Sequence, residues 1–367
     1  MLTMVEDHPR IIGGVDTHRD THTVAAIDER GQELGHATFP TTAQGYAQLW
    51  AWLTALGHVV AVGVEGTSSY GAALTRHLLS AGGRVIEVNR PDRGTRRRVG
   101  KSAPIDALMA ARGVLAGTAA TAPKDTTGVI EAIAVLRSGR RSAIKSRTAA
   151  INSLRAHMIT APADLRAHLD DLPITQLIAT CARLRPDHAR IHDPAQAVKA
   201  TLRRLARRYQ ALNEEIADID ADLAPLVARA CPKLLKQSGI GIQTAAQLLV
   251  TAGGNPDRIR TDASFAALCG ASPIPASSGR TDRHRLNRGG DRQGNHALHQ
   301  IVINRIAHHQ PTRDYIARRT ANGLKKRDVI RCLKRYVARD VQRLITQALT
   351  ESITLPTIPE QAAQNAA

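Results

Sequence analysis

Residues 11–40 read IIGGVDTHRDTHTVAAIDERGQELGHATFP, a stretch in which short apolar runs are separated by polar turn signals. IIGGVD reads as a buried strand ending in Asp16, TVAAIDERGQ as a second strand running into a turn at Gly31, and HATFP as a third. Links this short join antiparallel neighbours, so the three form a meander. The period then lengthens. AQGYAQLWAWLTALG has helical spacing, HVVAVGVEG is a continuous apolar strand, SYGAALTRHLLSAGG is a helix closed by glycine, and RVIEVNRP is a further strand. A last helix opens with Ser102 as N-cap and Pro104 in the first turn, where its missing N–H costs nothing, and carries Asp106 near its start. The order is that of an α/β domain over residues 1–117.

Beyond this domain the strand signals vanish. Residues 118–230 are rich in Ala, Arg, Leu and Glu with helical periods, and Leu202, Leu205, Tyr209, Leu212, Ile216 and Ile219 recur at spacings of three and four. That stripe suits a coiled-coil seam, either within one chain or between two. Proline-containing interruptions around ITAPADLRAHLDDLPITQ and Arg185-Pro186-Asp187 divide the helices. Residues 231–354 read as a third, mostly helical region with glycine-rich turns, and 355–367 as a polar, disordered tail.

Composition narrows the function. The 367 residues are 43% apolar, enough for sizeable cores, but only two Trp, five Tyr and two Phe are present, so those cores rest on aliphatic side chains. The formal charge is +18 and the pI about 10.6, which points to polyanionic partners. Of the 50 cationic residues 41 are arginine, a bias that suits forked phosphate contacts and equally a GC-rich genome. Cys181, Cys231, Cys269 and Cys332 are far apart with no C-x-x-C pair, so neither a zinc knuckle nor a disulfide framework is expected. The first residues, MLTMVEDHPR, have no apolar signal core, and no stretch has the length of a membrane span. The expectation is a soluble, cytoplasmic, nucleoid-associated bacterial protein with no membrane partner.

Three clusters carry candidate chemistry. The first is carboxylates at the ends of elements: Asp16 and Glu65 ending strands, and Asp106 in GKSAPIDALMAARG. Hard divalent cations take such oxygens, and metal-assisted phosphoryl chemistry needs several of them converging from distant segments. The same residues would also serve simply to end buried strands and to complement a helix dipole. The second is SGIGIQTAAQLLVTAGG, where Gly239 and Gly241 resemble a helix-hairpin-helix turn that lets a phosphate approach the next helix start; an ordinary tight turn reads alike. The third is ASPIPASSGRTDRHRLNRGGDRQGNHALHQ. There Ser277 and Ser278 precede Gly279, and Arg280, Arg283, Arg285, Arg288 and Arg292 follow at close intervals. From Gly279 to Asp340 sixteen cationic residues, Lys325 and Lys326 among them, face five acidic ones. A serine among guanidinium groups that stabilise a pentavalent phosphorane could attack a phosphodiester. A solvated basic loop that touches backbone without chemistry is the alternative.

In order, G-x-D-x-x-x-D/H, V-E-G-T, G-K-S-x-x-x-D-A, S-G-I-G and P-x-x-S-S-G with R-x-N-R-G-G-D-R-Q-x-N-x-A-L resemble the insertion-sequence one-hundred-ten family of transposases, the bridge-RNA-guided recombinases, over nearly the whole chain. The resemblance implies an N-terminal RuvC-like domain with an RNase H-type sheet and a DEDD carboxylate set, and a C-terminal helical domain with a serine nucleophile, on either side of the helical or coiled-coil middle read from the residues. It makes Asp16 the first acid, Glu65 the second, Asp106 the fourth and Ser278 the nucleophile, with Ser277 the less favoured neighbour. It implies Mg²⁺ on the acids, and nucleic-acid contacts from Lys101, Gly239, Gly241, the loop arginines and Lys325-Lys326. Its partners would be donor and target DNA, a structured noncoding bridge RNA and further copies of the chain as dimer or tetramer. One position departs: the third acid is replaced by Ala103, which weakens metal binding and raises the expectation of an impaired enzyme, with Asp92 as a conceivable substitute. The competing expectations are a metal-dependent Holliday-junction-type nuclease using water, and a non-catalytic nucleic-acid-binding scaffold.

Overall fold

The computed structural model describes residues 9–88, 102–280 and 284–354; Asp92, Lys101, Arg283 and the tail beyond Thr354 lie outside them. The chain divides into two compact units, Met1–Gly128 with Gly253–Arg260, and Val129–Ala252 with Thr261–Ala367.

The first unit is built on β1 (Arg10–Thr17), β2 (Thr21–Asp28) and β3 (Glu33–Pro40), followed by α1 (Ala43–Leu56), β4 (His58–Glu65), α2 (Ala72–Ser80), β5 (Val85–Val88) and α3 (Ala103–Leu115). The sheet order is β3-β2-β1-β4-β5, with β1, β2 and β3 antiparallel and β4 and β5 added in parallel. The meander and the following helix-strand-helix-strand order are those read from the pattern of residues 11–88, and the pairing of β4 and β5 proves parallel.

Side chains alternate across a strand, so each face of the sheet has its own set. Ile11 and Val15 of β1, Val62 and Val64 of β4, and Leu49, Leu53, Leu74 and Leu78 of α1 and α2 form one core. Ile12, Ile27 and Ala111 form a second on the opposite face, joined by Leu108 and Val114 of α3. Two glycines set how close α3 lies. A methyl group at Gly14 would run into the backbone of Ala107 and Ala111, and one at Gly63 would stand 2.7 Å from Val114 and 3.0 Å from the Ala110 carbonyl. Ser102 sits at the N-cap in extended conformation with Pro104 in the first turn, yet its hydroxyl makes no capping hydrogen bond.

Gly253–Arg260 returns to this unit from far along the chain. Asn255 donates to Pro123 O at 2.7 Å and accepts from the Asp125 N–H at 3.2 Å. Arg258 pairs with Glu87 at 2.8 Å and also donates to the Ala122 carbonyl.

The second unit is helical. It contains α4 (Gly128–Ile159), α5 (Ala163–Ala167), α6 (Ile174–Arg183), α7 (Pro194–Ala230), α8 (Pro232–Leu235), α9 (Ile242–Ala252), α10 (Asp262–Leu268), a short hairpin β6 (Ile274–Pro275) and β7 (His284–Arg285), α11 (Arg292–His308), α12 (Gln310–Ala321) and α13 (Lys326–Thr354). The stripe on α7 is used inside the chain: Leu202 is buried with Leu154 of α4 and with Leu177, Ile178 and Cys181 of α6, and Leu205 and Tyr209 pack on the same cluster. Arg140 pairs with Asp220 at 2.6 Å, and Arg147 donates to Asn213 at 2.6 Å. Later residues on α4 therefore meet earlier ones on α7, the relation of an antiparallel hairpin. Leu248, Phe265, Leu298, Ile301, Val337 and Ile345 are buried where α9, α10, α11 and α13 pack together.

Candidate functional site

Asp16 and Glu65 stand at the carboxyl ends of neighbouring parallel strands, one residue beyond the Val15–Val64 pair. Val15 and Val64 belong to the core under α1 and α2, so alternation turns Asp16 and Glu65 to the α3 face. Thr17 ties the strand ends together by donating to Glu65 O at 2.9 Å. Because Gly14 and Gly63 let α3 lie against this face, its first turn brings Asp106 to the same edge.

Asp16 and Asp106 are each only 7% exposed, and Glu65 is half-buried. Burial pushes the Asp16 carboxyl above its ordinary range, His18 draws it down, and the charges of Glu65 and then Asp106 push it up again. His18 Nε2 lies 3.1 Å from Asp16 Oδ2 and is the paired group on its exposed side. Three carboxylates from three elements thus feel one another at one edge. Oxygen-only donors carrying like charge are the chemistry a hard divalent cation fits. They do not yet close around one: among the described residues, no three His, Cys, Asp or Glu side chains stand close enough to hold an ion. Ala103 opens α3 three residues before Asp106.

The serine loop is built differently. The hairpin that carries it has two residue pairs, Ile274–Arg285 and Pro275–His284. Ser277, Ser278 and Arg280 are exposed in the segment between, and Gly279 takes φ +54° with open space around its α-carbon. Arg285, Arg288, Arg292, Lys325 and Lys326 are exposed as well. Ser278 is therefore presented to solvent, the condition that its candidate role demands.

The motif after the serine turns out to be largely structural support, which charge counting alone does not reveal. Asn287 Oδ1 accepts the Gly289 N–H at 2.9 Å, and its amide donates to Ala267 O at 3.3 Å. Gly290 packs directly on the Gly270 backbone, where no side chain fits. Asp291 caps α11 by accepting from Gln293 N at 2.8 Å, and also accepts from the Thr251 hydroxyl at 2.6 Å. Asn295 donates to Cys269 O at 2.8 Å and accepts from Lys334 at 2.9 Å. The sequence signal was the Asx-turn spacing N-x-G and D-x-Q within the arginine run.

The glycine pair of the second cluster divides its work. Gly239 has φ +77° and lies 3.0 Å, by its would-be methyl, from the Ile301 carbonyl and Arg305, whose guanidinium donates to Ser238 O at 2.8 Å. Packing against α11 explains this residue without a ligand. Gly241 faces open space, and its N–H donates to Thr244 Oγ at 3.1 Å at the start of α9.

Against known families, residues 13–161 match a DEDD-type IS110 model described as a transposase, and residues 231–317 match one described as Transposase IS116/IS110/IS902 family. The first match spans Asp16, Glu65 and Asp106; the second spans both glycines, both serines and the arginine run. No curated protein matches the chain.

Proposed function

The chain belongs to the IS110 family of transposases, whose two characteristic regions together take in well over half of it, and acts as an enzyme on DNA; from that premise we propose that it cuts and rejoins DNA through Ser278, with Asp16, Glu65 and Asp106 holding Mg²⁺. The observation that carries the reading is the convergence of those three acids on one face of a sheet ordered β3-β2-β1-β4-β5, in keeping with an RNase H-type domain.

Ser278 Oγ attacks the phosphorus of a DNA phosphodiester. One P–O bond forms, the bond to a bridging deoxyribose oxygen breaks, the serine proton passes to a base or solvent, and the departing oxygen leaves as a hydroxyl. A hydroxyl from the exchanged strand then attacks the phosphoserine, the Oγ–P bond breaks, and the serine recovers its proton. No water is consumed and the number of phosphodiester bonds is conserved. Bound Mg²⁺ would supply Lewis-acid stabilisation of developing charge on oxygen. The exposed arginines near Ser278 in sequence, Arg280, Arg285, Arg288 and Arg292, stabilise the phosphorane and grip the backbone. Two or four copies assemble with donor and target DNA, and a structured noncoding RNA pairs with both, so that base pairing reads sequence while the protein reads shape and backbone. The small number of aromatic residues supports this division, since stacking platforms for direct base reading are scarce.

Denaturing gels with labelled DNA, Mg²⁺ and the nucleic acid that co-purifies test the reading. Wild type should give a protein–DNA adduct that Ser278→Ala lacks, a fall on the order of a thousandfold or more. Cleavage by Ser278→Ala without an adduct would establish a water-using nuclease instead. Ala103→Asp should raise recombination by restoring a fourth carboxylate, and an inert A103D protein beside an inert wild type would favour a binding scaffold.

A further inference from the structure

A cleft of about 550 Å³ opens in the helical unit between α4, α9 and α11. Arg137, Arg140 and Arg141 of α4 line it at spacings of three and four, so all three lie on one face of that helix. Opposite them are Gln243 and Thr244, in the first turn of α9, where unsatisfied N–H groups carry partial positive charge.

The three guanidinium groups are answered unequally. Arg140 makes a forked pair with Asp220 at 2.6 and 2.9 Å. Arg137 is held by neutral acceptors: its two terminal nitrogens donate to Gln243 O and Oε1 and to Gln247 Oε1, at 2.9–3.0 Å. Those are three acceptors for a group with five N–H donors. Arg141 is exposed and has no ion-pair partner among the described residues. Asp291 is the carboxylate on the cleft wall, and it already accepts from Thr251 and from the start of α11. Positive charge is thus in excess. Burial and then the neighbouring charges of Arg140 and Arg141 draw Arg137 down to about 10, so it remains cationic at neutral pH at an electrostatic cost that an anion would relieve.

We propose that this cleft is a phosphodiester-binding site, in which Arg137 and Arg141 grip a backbone phosphate of a bound strand against the N-terminal turn of α9. A planar fork backed by fixed glutamines presents its remaining donors in one orientation, the geometry that phosphate oxygens take up bidentately. The volume falls within the range of ordinary ligand pockets, about 300–1,000 Å³, and admits a phosphate with its sugar. A DNA duplex and a folded RNA offer the same group, and the choice of ligand rests on the transposase reading.

Fluorescence anisotropy across a salt series, on the full chain with a labelled DNA duplex and separately a labelled RNA hairpin, tests it. Arg141→Gln should weaken binding by about fivefold to tenfold and lower the slope of log affinity against log salt by about one unit, while Arg141→Lys keeps most of both. Loss on one probe names the strand; loss on both means that the cleft takes phosphate from either. Arg137→Gln should act in the same direction, with its melting temperature read alongside because that side chain also supports α9. Unchanged affinity and salt slope on both probes in Arg141→Gln would overturn the proposal. The readout is binding alone, so it stands or falls separately from adduct formation by Ser278.

Discussion

Asp16 and Asp106 are each 7% exposed and held by a strand end and a helix packed backbone to backbone, whereas Ser278 stands in solvent on a hairpin of two residue pairs. Carboxylates that share a cation must be brought close in spite of repulsion, and only a rigid frame does that before the ion arrives. A nucleophile that must reach a phosphate inside a large polymer gains from exposure. Its neighbourhood is rigid where it can be: the N-R-G-G-D turn, the Asp291 cap and Asn295 tie the far end of the loop to α10, α11 and α13.

The contrast can be broken most severely at Gly14. A methyl group there meets the backbone of Ala107 and Ala111, so Gly14→Ala should push α3 from the sheet, cost about 3 kcal/mol by chemical denaturation and remove the Mg²⁺ binding proposed for the acids with it. The same change at Gly279, with nothing near it, should cost only the strain of its positive φ, about 1 kcal/mol. A smaller but sharper test concerns the segment that returns to the sheet unit. Arg258→Ala would leave Glu87 without its partner in a largely buried pair and should cost about 2–3 kcal/mol, seen as a lower denaturation midpoint; a fragment ending at Gly128 lacks the segment and should be less stable than the same sheet in the intact chain.

The smallest effect has an opposite sign. Because the fold raises the Asp16 carboxyl, the native state holds that proton more tightly than the unfolded chain does. Its contribution therefore favours the fold at low pH and is lost as pH rises from the ordinary 3.8 through the raised native value. Asp16→Asn should then raise the metal-free melting temperature at neutral pH and, on the proposed metal role, abolish the further rise expected of the wild type with Mg²⁺. A D16N protein less stable than wild type in metal-free buffer would mean that the carboxylate is structural, and the acidic edge would lose its claim to a cation.

Much of the sheet unit was legible because period-two runs are short and punctuated: IIGGVD, TVAAID and HVVAVGVE each became the strand their pattern describes. The acids at the strand ends were legible too. What the pattern left open was whether they meet, since that depends on Gly14 and Gly63 admitting α3, and a glycine in a strand reads the same whether a helix lies on it or not. The α7 stripe fitted a seam within the chain or between two, and α4 and α6 supplied its partners. Arg137, Gln247 and Thr251 drew no notice, because they are ordinary helical residues whose joint role comes from helices far apart in sequence.

By itself, then, the order of residues determined the strand and helix periods, the strong positive charge and the identity of the groups able to do chemistry, all of which depend on composition and near neighbours. Only the tertiary structure decided which acids share an edge, that Gly253–Arg260 belongs with the sheet, and that the glycine-rich turn after Ser278 is a brace, because each depends on segments packing across long separations where a single missing side chain sets the distance.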